Sequence, residues 1–327
     1  MAMSYISRNN RHIIKKVATM VKAICLLIIT TMHINQVTAA EGGYSNYVPG
    51  TYGDFGMAMA PVETWTLRND VYYYTADIDK SFSSGKLQLD TSLDFLMNFT
   101  TVLYKPDLDI FGAQYAGGIF VPLVQLDTET NISLAGTKRG VNDSVSGLAD
   151  LVLIPFALYW QDDNYHWSLS HFLVAPTGDY DIDEPINTSL NYWSFDTNFA
   201  VTYLNPETGK DLSFNVGHIY NTENDDTNYQ TGQELHLDLV LNQFLSDSFA
   251  VGIHGFYLKQ LTGDSGDGAE LGAFKTGAAG VGPALLWSRN FGKQNVTFIA
   301  KWLHDFHAEN RLEGDHFFLS FAMVLAN

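Results

Sequence analysis

Beyond residue 39 the sequence contains no apolar run approaching the roughly 20 residues that a membrane-spanning helix requires. The chain has 327 residues, of which 46% are hydrophobic, so its apolar residues are interspersed with polar ones. Any membrane crossing by this part of the chain must therefore use β-strands, in which the alternation of apolar and polar residues dilutes the hydropathy signal.

Cysteine occurs once, at Cys25. It lies in an apolar run over residues 23–29, which follows five basic residues (Arg8, Arg11, Lys15, Lys16 and Lys22) and precedes the small residues Val37, Ala39 and Ala40. This pattern predicts a secretory signal peptide over 1–39. Cleavage would remove the only cysteine, which excludes disulfides and cysteine-based metal sites from the exported protein.

Basic residues are scarce: there are 18 against 36 acidic ones, and the formal net charge is −18. Five of the basic residues lie in the predicted signal and every acidic residue follows it, so the remaining chain carries −23. Nucleic acid, which demands a basic footprint, is excluded as a partner. The acidity suits loops that face water near a surface bridged by divalent cations, and simple solvation explains it equally well.

Twelve strand-length segments follow, and their connections alternate between short and long. We expect strands at 62–76, 85–104, 110–126, 147–160, 165–177, 189–204, 210–221, 234–245, 248–261, 272–289, 294–305 and 315–326. Outer-membrane barrels have tight periplasmic turns, long extracellular loops and an even number of strands. The sequence therefore predicts an all-β fold, a transmembrane antiparallel up-and-down barrel over 62–327, preceded by an N-terminal periplasmic segment over 40–61.

Two segments show the alternation best. Between residues 88 and 103, Leu93, Phe95 and Met97 fall on one face, and between 234 and 242 the face of Leu237 and Leu239 opposes that of Glu234 and Asp238. We expect the apolar faces, together with Phe321, to meet lipid. The polar faces should line the lumen, which gives the set Gln88, Asp90, Asp94, Asp196, Asn198, Glu234, His236, Asp238 and Lys301. Soluble sandwich strands could show the same pattern, but runs of nine to eleven residues with aromatic ends favour a membrane barrel.

Several motifs resemble a known family. The pair Gly147–Leu151 and Ala175–Asp181 looks like the signature of the family named for the meta pathway of phenol degradation. Further matching pieces occur in order along nearly the whole exported chain, among them 41–44, 47–50, 68–74, 229–234, 260–265, 280–283 and 310–314. The resemblance implies an outer-membrane barrel with a transport role in aromatic catabolism, and it supplies no catalytic residues. The C-terminus departs from other outer-membrane barrels, since the chain ends in Asn327 and not in an aromatic residue.

Candidate chemical sites are weak. His166 and Ser168 share one side of a strand, as a base and a nucleophile would, but their predicted periplasmic position is wrong for a lipid hydrolase. The carboxylates of 179–184 lack the turn glycine and distal glutamate of a calcium loop, so a solvated loop is favoured over a weak cation site. We therefore expect no enzyme, no metal and no cofactor.

The leading hypothesis is a channel or transporter for small hydrophobic or aromatic compounds in the bacterial outer membrane, reached after signal cleavage. Expected partners are outer-membrane lipid and lipopolysaccharide, the solute, and the barrel-assembly machinery. The alternative is a non-transporting surface barrel whose loops bind partners or lipopolysaccharide.

Overall fold

The computed structural model describes residues 45–82, 87–134, 137–184, 186–269, 275–292 and 294–325. The side chains of 78–82, 87–90, 131–134, 137–139, 141 and 324–325 are outside this description. These residues all belong to one compact unit, Val37–Asn327, and the predicted signal peptide falls outside the described part. No helix in the described ranges is long and apolar enough to cross a membrane.

Sixteen strands are described within these ranges. They are β1 (Trp65–Phe82), β2 (Leu87–Tyr104), β3 (Asp109–Ile110), β4 (Ala113–Leu134), β5 (Thr137–Leu148), β6 (Leu151–Asp162), β7 (Tyr165–Ala175), β8 (Ser194–Asn205), β9 (Lys210–Asn221), β10 (Glu223–Asn224), β11 (Tyr229–Gln230), β12 (Glu234–Ser246), β13 (Phe249–Gln260), β14 (Gly277–Phe291), β15 (Gln294–Glu309) and β16 (Glu313–Leu325). Twelve of them, all except β3, β5, β10 and β11, form one closed antiparallel barrel.

The barrel closes where β1 pairs with β16, from Trp65 opposite Leu325 to Asp77 opposite Glu313. On its other side β1 pairs along its whole length with β2. Among these twelve described strands closure leaves no unpaired sheet edge, which is the condition for strands to exist in a bilayer. The predicted twelve-stranded antiparallel barrel is confirmed.

Turn lengths distinguish the two ends of the barrel. At one end Asp163 and Asn164 alone join β6 to β7, and residues 206–209 join β8 to β9. At the other end, 176–193 and 222–233 form long connections. One long connection differs from the prediction: residues after Leu126 continue β4 and pair with β5, forming a hairpin. Ala149 and Asp150 separate β5 from β6. The expected strand 147–160 is therefore divided between two strands.

Side chains alternate between the outside and the interior. On β12, Leu239 and Leu241 are each 52% exposed, whereas His236, Asp238 and Val240 are buried. Similar exposed apolar residues on neighbouring strands form an outer belt: Leu212, Phe214, Ile253, Leu285, Trp287, Trp302, Phe317 and Leu319. Such a continuous apolar surface suits lipid and would be unusual on a protein surrounded by water.

The face assignment of β2 is wrong in the prediction and must be reversed. Leu93, Met97 and Phe99 are buried inside the barrel, while Leu96 is 40% exposed on the outside. Asp94 also faces outward, where the Tyr73 hydroxyl donates a hydrogen bond to it at 2.5 Å. The alternation misled because this side of the interior is itself apolar, and a strand between lipid and an apolar interior gives no sign of which face is which.

Candidate solute site inside the barrel

Residues 45–61, here called the inserted segment, lie within the barrel. Ser45 donates a hydrogen bond to Glu234 at 2.9 Å, near the end of the barrel that carries the long loops. The Gly56 amide donates to Asp211 at 2.8 Å, close to the tight turn that precedes β9. The segment therefore runs along the lumen from the long-loop end to the turn end, and the chain then enters β1.

This position corrects the expectation of a periplasmic segment over 40–61. From Ser45 onward the segment lies against interior side chains of the barrel, and residues 40–44 fall outside the described part. The segment lies inside the barrel because the interior faces of β8, β9 and β12 carry many polar groups. Buried polar groups need hydrogen-bond partners, and the inserted segment supplies them.

The interior faces of β8, β9 and β12 form a polar wall that holds the segment. The Tyr47 hydroxyl donates to Asp238 at 3.0 Å, and the Tyr52 hydroxyl donates to Asp196 at 2.6 Å. Additional contacts join Asn46 to Ser194 and the Ala58 amide to Thr202. Burial, reinforced by the neighbouring carboxylates, raises the pKa of Tyr47 and of Tyr52 well above the ordinary value. Both hydroxyls therefore remain protonated donors at neutral pH.

His236 packs against both of these tyrosines. Its ring is stacked on Tyr47 with centroids 4.2 Å apart and on Tyr52 with centroids 5.1 Å apart. Its Nε2 atom is 3.1 Å from Asp196, and its Nδ1 atom is 3.7 Å from Asp238. A Cβ atom at Gly217, on the adjacent strand, would overlap this ring, so glycine provides the space that His236 occupies.

Charged groups hold the middle of the segment from the opposite side. Asp54 forms an ion pair with Arg68 of β1. The Lys301 ammonium of β15 donates to the carbonyls of Gly50 and Gly53 at 2.9 and 2.7 Å. Burial raises the pKa of Asp54, but the positive charges of Arg68 and Lys301 outweigh it and keep the pKa below its ordinary value. Gly50 has a φ of 82°, a left-handed turn that places its carbonyl beside Lys301.

The structure places the residues predicted to line the lumen in three groups. Six lie buried on the interior face: Asp196, Asn198, Glu234, His236, Asp238 and Lys301. Asp94 lies on the outer face, which corrects its predicted place. The backbones of Gln88 and Asp90 lie in β2, but their side chains are outside the described part. Of the interior six, Asp196, His236 and Asp238 are brought together, and their partners belong to the inserted segment.

A cavity of about 380 Å³ remains between the inserted segment and the interior faces of β2, β4, β6 and β7. Its aromatic lining comes from Phe99, Phe120, Tyr159, Phe172 and Phe318 on the barrel and from Tyr52 and Phe55 on the segment. Phe99 and Phe120 pack with centroids 4.4 Å apart, and Tyr52 packs on Phe172 at 5.4 Å. The volume lies in the range of about 300 to 1,000 Å³ typical of small-molecule sites. It exceeds the roughly 150 Å³ that suffices for benzene in an engineered cavity.

Sequence reasoning missed both the inserted segment and the cavity that it borders. The segment has no period of two, so it reads as a loop. One signal was available: buried carboxylates on three adjacent strands need donors, and the tyrosines and free backbone amides of 45–58 are donors close to β1.

Comparisons with known proteins agree with this architecture. The model of the family described as "Putative MetA-pathway of phenol degradation" matches residues 76–321. The chain belongs to this family. No curated protein sequence matches the chain.

Solved structures resemble this member of the phenol-degradation family in fold. The COG4313 outer membrane channel from Pseudomonas putida F1 superposes with a TM-score of 0.62 at 17% identity, covering 86% of this chain and all of that one. Weaker likenesses include a Pseudomonas aeruginosa FadL homologue, with a TM-score of 0.37 at 7% identity over 80% of this chain and 90% of that one. The transport unit of the Escherichia coli autotransporter AIDA-I has a TM-score of 0.42 at 8% identity over 81% and 91%.

Hydrogen bonds of Asp150 connect the two segments that resemble the family signature, Gly147–Leu151 and Ala175–Asp181. The Asp150 carboxylate, in the break between β5 and β6, accepts hydrogen bonds from the amides of Thr177 and Gly178 at 3.0 Å. Its second oxygen accepts from the Leu190 amide at 3.1 Å. One aspartate thus joins residues near both ends of the long β7–β8 connection.

The pair considered for catalysis lies inside the barrel of this family member. His166 and Ser168 are both buried on the interior face of β7, toward the turn end. Ser168 borders the cavity, so its hydroxyl faces the solute site and not the outer leaflet. In the described ranges no group of His, Cys, Asp and Glu side chains could hold a metal ion.

Proposed function

We propose that the protein is an outer-membrane channel that admits small apolar solutes, chiefly single-ring aromatic compounds, and that the inserted segment closes its lumen at rest. The observation that carries this proposal is the cavity of about 380 Å³ between the segment and the aromatic wall. A single ring fits this volume and contacts aromatic faces there, an arrangement in which ring pairs are favourable. The family description, which concerns phenol degradation, supports the same solute class.

The lumen is divided between two surfaces of different character. The polar wall binds the inserted segment, whereas the apolar side chains that border the solute cavity come mainly from β2, β4, β6 and β7. Ser194, Asp196 and Arg68 also border the cavity, but their bonds to the segment are already made. A solute can occupy the cavity while the segment is in place, and its passage through the barrel then requires the segment to shift.

The bonds that hold the segment allow such a shift. They are hydrogen bonds, ion pairs and ring contacts, and a hydrogen bond to a charged group contributes only about 1.5–3 kcal/mol. No covalent link joins the segment to the barrel wall, because the chain has no cysteine after Cys25. Residues 62–64 connect the segment to Trp65, where β1 begins, so displacement toward the turn end needs no change in strand pairing.

Ion selectivity remains a prediction from the sequence. The inward carboxylates would favour cations or neutral solutes over anions, as acidic rings do. In the resting state Asp196 and Asp238 accept hydrogen bonds from Tyr52 and Tyr47, so ions meet these carboxylates only after the segment moves. Signal cleavage, assembly by the barrel machinery and contact with lipopolysaccharide are parts of the same proposal.

The test is solute uptake by intact cells, because lipopolysaccharide slows apolar solutes that cross ordinary lipid freely. Cells expressing the protein should take up a radiolabelled single-ring aromatic faster than cells with an empty vector. A matched variant, Phe99→Trp with Phe120→Trp, fills the cavity and should abolish the gain while folding normally in detergent. Equal uptake with and without correctly folded protein would contradict transport and favour the surface-barrel alternative.

A further inference from the structure

The cavity has a chemically distinct patch of three hydroxyl groups. Tyr159 of β6 lies directly opposite Ser168 of β7, and Ser170 follows two residues later on the same interior face. All three residues border the cavity. Directly paired residues have Cβ atoms about 4.5–5.5 Å apart, so the three hydroxyl-bearing side chains start from one patch of the cavity wall, here called the hydroxyl cluster. The described contacts give none of the three side chains a hydrogen-bond partner, in contrast to the polar wall.

The charged side chains around the cavity already have partners, and among its neutral groups the Thr51 hydroxyl of the inserted segment, like the three hydroxyls, has none within the described part of the chain. Arg68 is bonded to Asp54, Asp70 and Ser320, and Asp196 accepts from Tyr52 and contacts His236. A solute would have to break these bonds to use those groups. The hydroxyl cluster needs no such exchange, because water or a solute oxygen can bind it directly.

We propose that the hydroxyl cluster of Tyr159, Ser168 and Ser170 recognises a hydrogen-bonding oxygen on a neutral single-ring solute. The inference rests on the proposed function and names the solute class more closely: a ring carrying a hydroxyl or carbonyl group binds better than a plain hydrocarbon. The ring contacts Phe99, Phe120 and Phe172, and its oxygen replaces water at the cluster. An anionic ring is disfavoured, because the carboxylates of Asp54, Asp70 and Asp196 border the same cavity and outnumber the one cation among its lining residues, Arg68.

The geometry explains why three hydroxyls occur on an otherwise apolar wall. A site that pairs a solute oxygen rejects the analogue without it, because its own polar groups are then left without partners. Hydroxyl groups both donate and accept, so the cluster can bind either a hydroxyl or a carbonyl oxygen. The neighbouring interior positions on these strands, Ile154, Ala157 and Val174, are apolar and accommodate the remainder of the ring.

The experiment compares phenol, toluene and benzoate as probes. Phenol and toluene have nearly the same shape and differ in the hydroxyl, and benzoate adds a negative charge. Affinities are measured by titration calorimetry on folded protein in detergent, for wild type, Tyr159→Phe and the double variant Ser168→Ala with Ser170→Ala. The control is Tyr165→Phe, which removes a hydroxyl from an outer-face tyrosine that is 53% exposed. All proteins meet the same detergent, so solute partition into micelles cancels in the affinity ratios.

Wild type should bind phenol more tightly than toluene, and benzoate most weakly. Each cavity variant should weaken phenol binding about threefold to tenfold, as the loss of one hydrogen bond predicts, and leave toluene within twofold. Tyr165→Phe should change neither affinity. Unchanged phenol binding in both cavity variants, with toluene still bound, would overturn the hydroxyl inference and leave the proposed solute site intact. Failure of both phenol and toluene to bind wild type would overturn the solute site and this inference together.

Discussion

Tyr47 lies flat on His236, with ring centroids 4.2 Å apart and ring planes 16° apart. The hydroxyl of the same tyrosine donates to Asp238, two residues further along β12 and 191 residues away from Tyr47 in the chain. These contacts exist only when the inserted segment is inside a closed barrel. They therefore offer a specific means of detecting whether the segment is in place.

Truncating Tyr47 should loosen the segment in two steps. Tyr47→Phe keeps the stacked ring and loses the hydrogen bond to a buried carboxylate, so amide exchange over residues 45–58 should accelerate by roughly tenfold to a hundredfold. Tyr47→Ala loses the ring as well and should accelerate exchange further. Hydrogen–deuterium exchange with mass spectrometry measures both, and Tyr165→Ala on the outer face is the control. Exchange at the wild-type rate in Tyr47→Ala would show that the stack does not hold the segment.

Removing the ammonium of Lys301 should free the middle of the segment. Lys301→Met keeps much of the side-chain volume but leaves the carbonyls of Gly50 and Gly53 without their donor, and an unsatisfied buried carbonyl costs about 1–3 kcal/mol. We expect brief channel openings to become more frequent in planar-bilayer recordings. The matched control is Lys259→Met, whose ion pair with Glu309 is on the outside and largely screened. If the two variants behave alike, Lys301 has no part in closure.

Alkaline pH should release the segment. Tyr47 and Tyr52 have a raised pKa in the inserted state, so their protonation stabilises that state fully below the ordinary tyrosine pKa of about 10. The stabilisation is lost as the pH rises above that value toward the raised pKa. Channel openings should therefore increase above about pH 10. A Tyr47→Phe, Tyr52→Phe double variant lacks these ionisations and should show a much smaller alkaline increase; an increase as large as in wild type would assign the effect to other groups.

Labelling of single cysteines on β2 can show which face of this strand meets lipid. Because Cys25 is the only native cysteine and lies in the predicted signal, Leu96→Cys or Met97→Cys should each place one thiol in the exported protein. A lipid-soluble maleimide should modify position 96 in folded protein and spare position 97, and both should react after unfolding. Preferential reaction at 97 would restore the face assignment first expected from the sequence.

The fold was predictable in outline because its signals are local and repeated. Alternation, strand length and turn length are properties of short windows, and they predict twelve strands and the outward face of β12. The faces of β2 were not predictable, because Leu93 and Leu96 are both apolar and only the closed barrel distinguishes lipid from an apolar interior. The candidate site was the hardest part to predict from the sequence, because contacts such as Tyr52 with Asp196 join residues that are 144 positions apart in the chain. Asp54, Arg68 and Lys301 likewise lie in segments far apart in the sequence.

The central claim is that the inserted segment must move for the channel to conduct. It is tested most directly with a reversible link. A Cβ atom at Gly53 would lie 3.5 Å from the Val240 side chain of β12, which is compatible with a disulfide. The double variant Gly53→Cys with Val240→Cys can be recorded in planar bilayers before and after reduction, with each single variant as control.

With the disulfide formed, the double variant should show no openings, and a reductant should restore openings like those of wild type in the same protein. The single variants should not respond to the reductant. Equal openings with the disulfide verified as formed and as reduced would contradict the claim, because current would then pass with the segment fixed in the lumen.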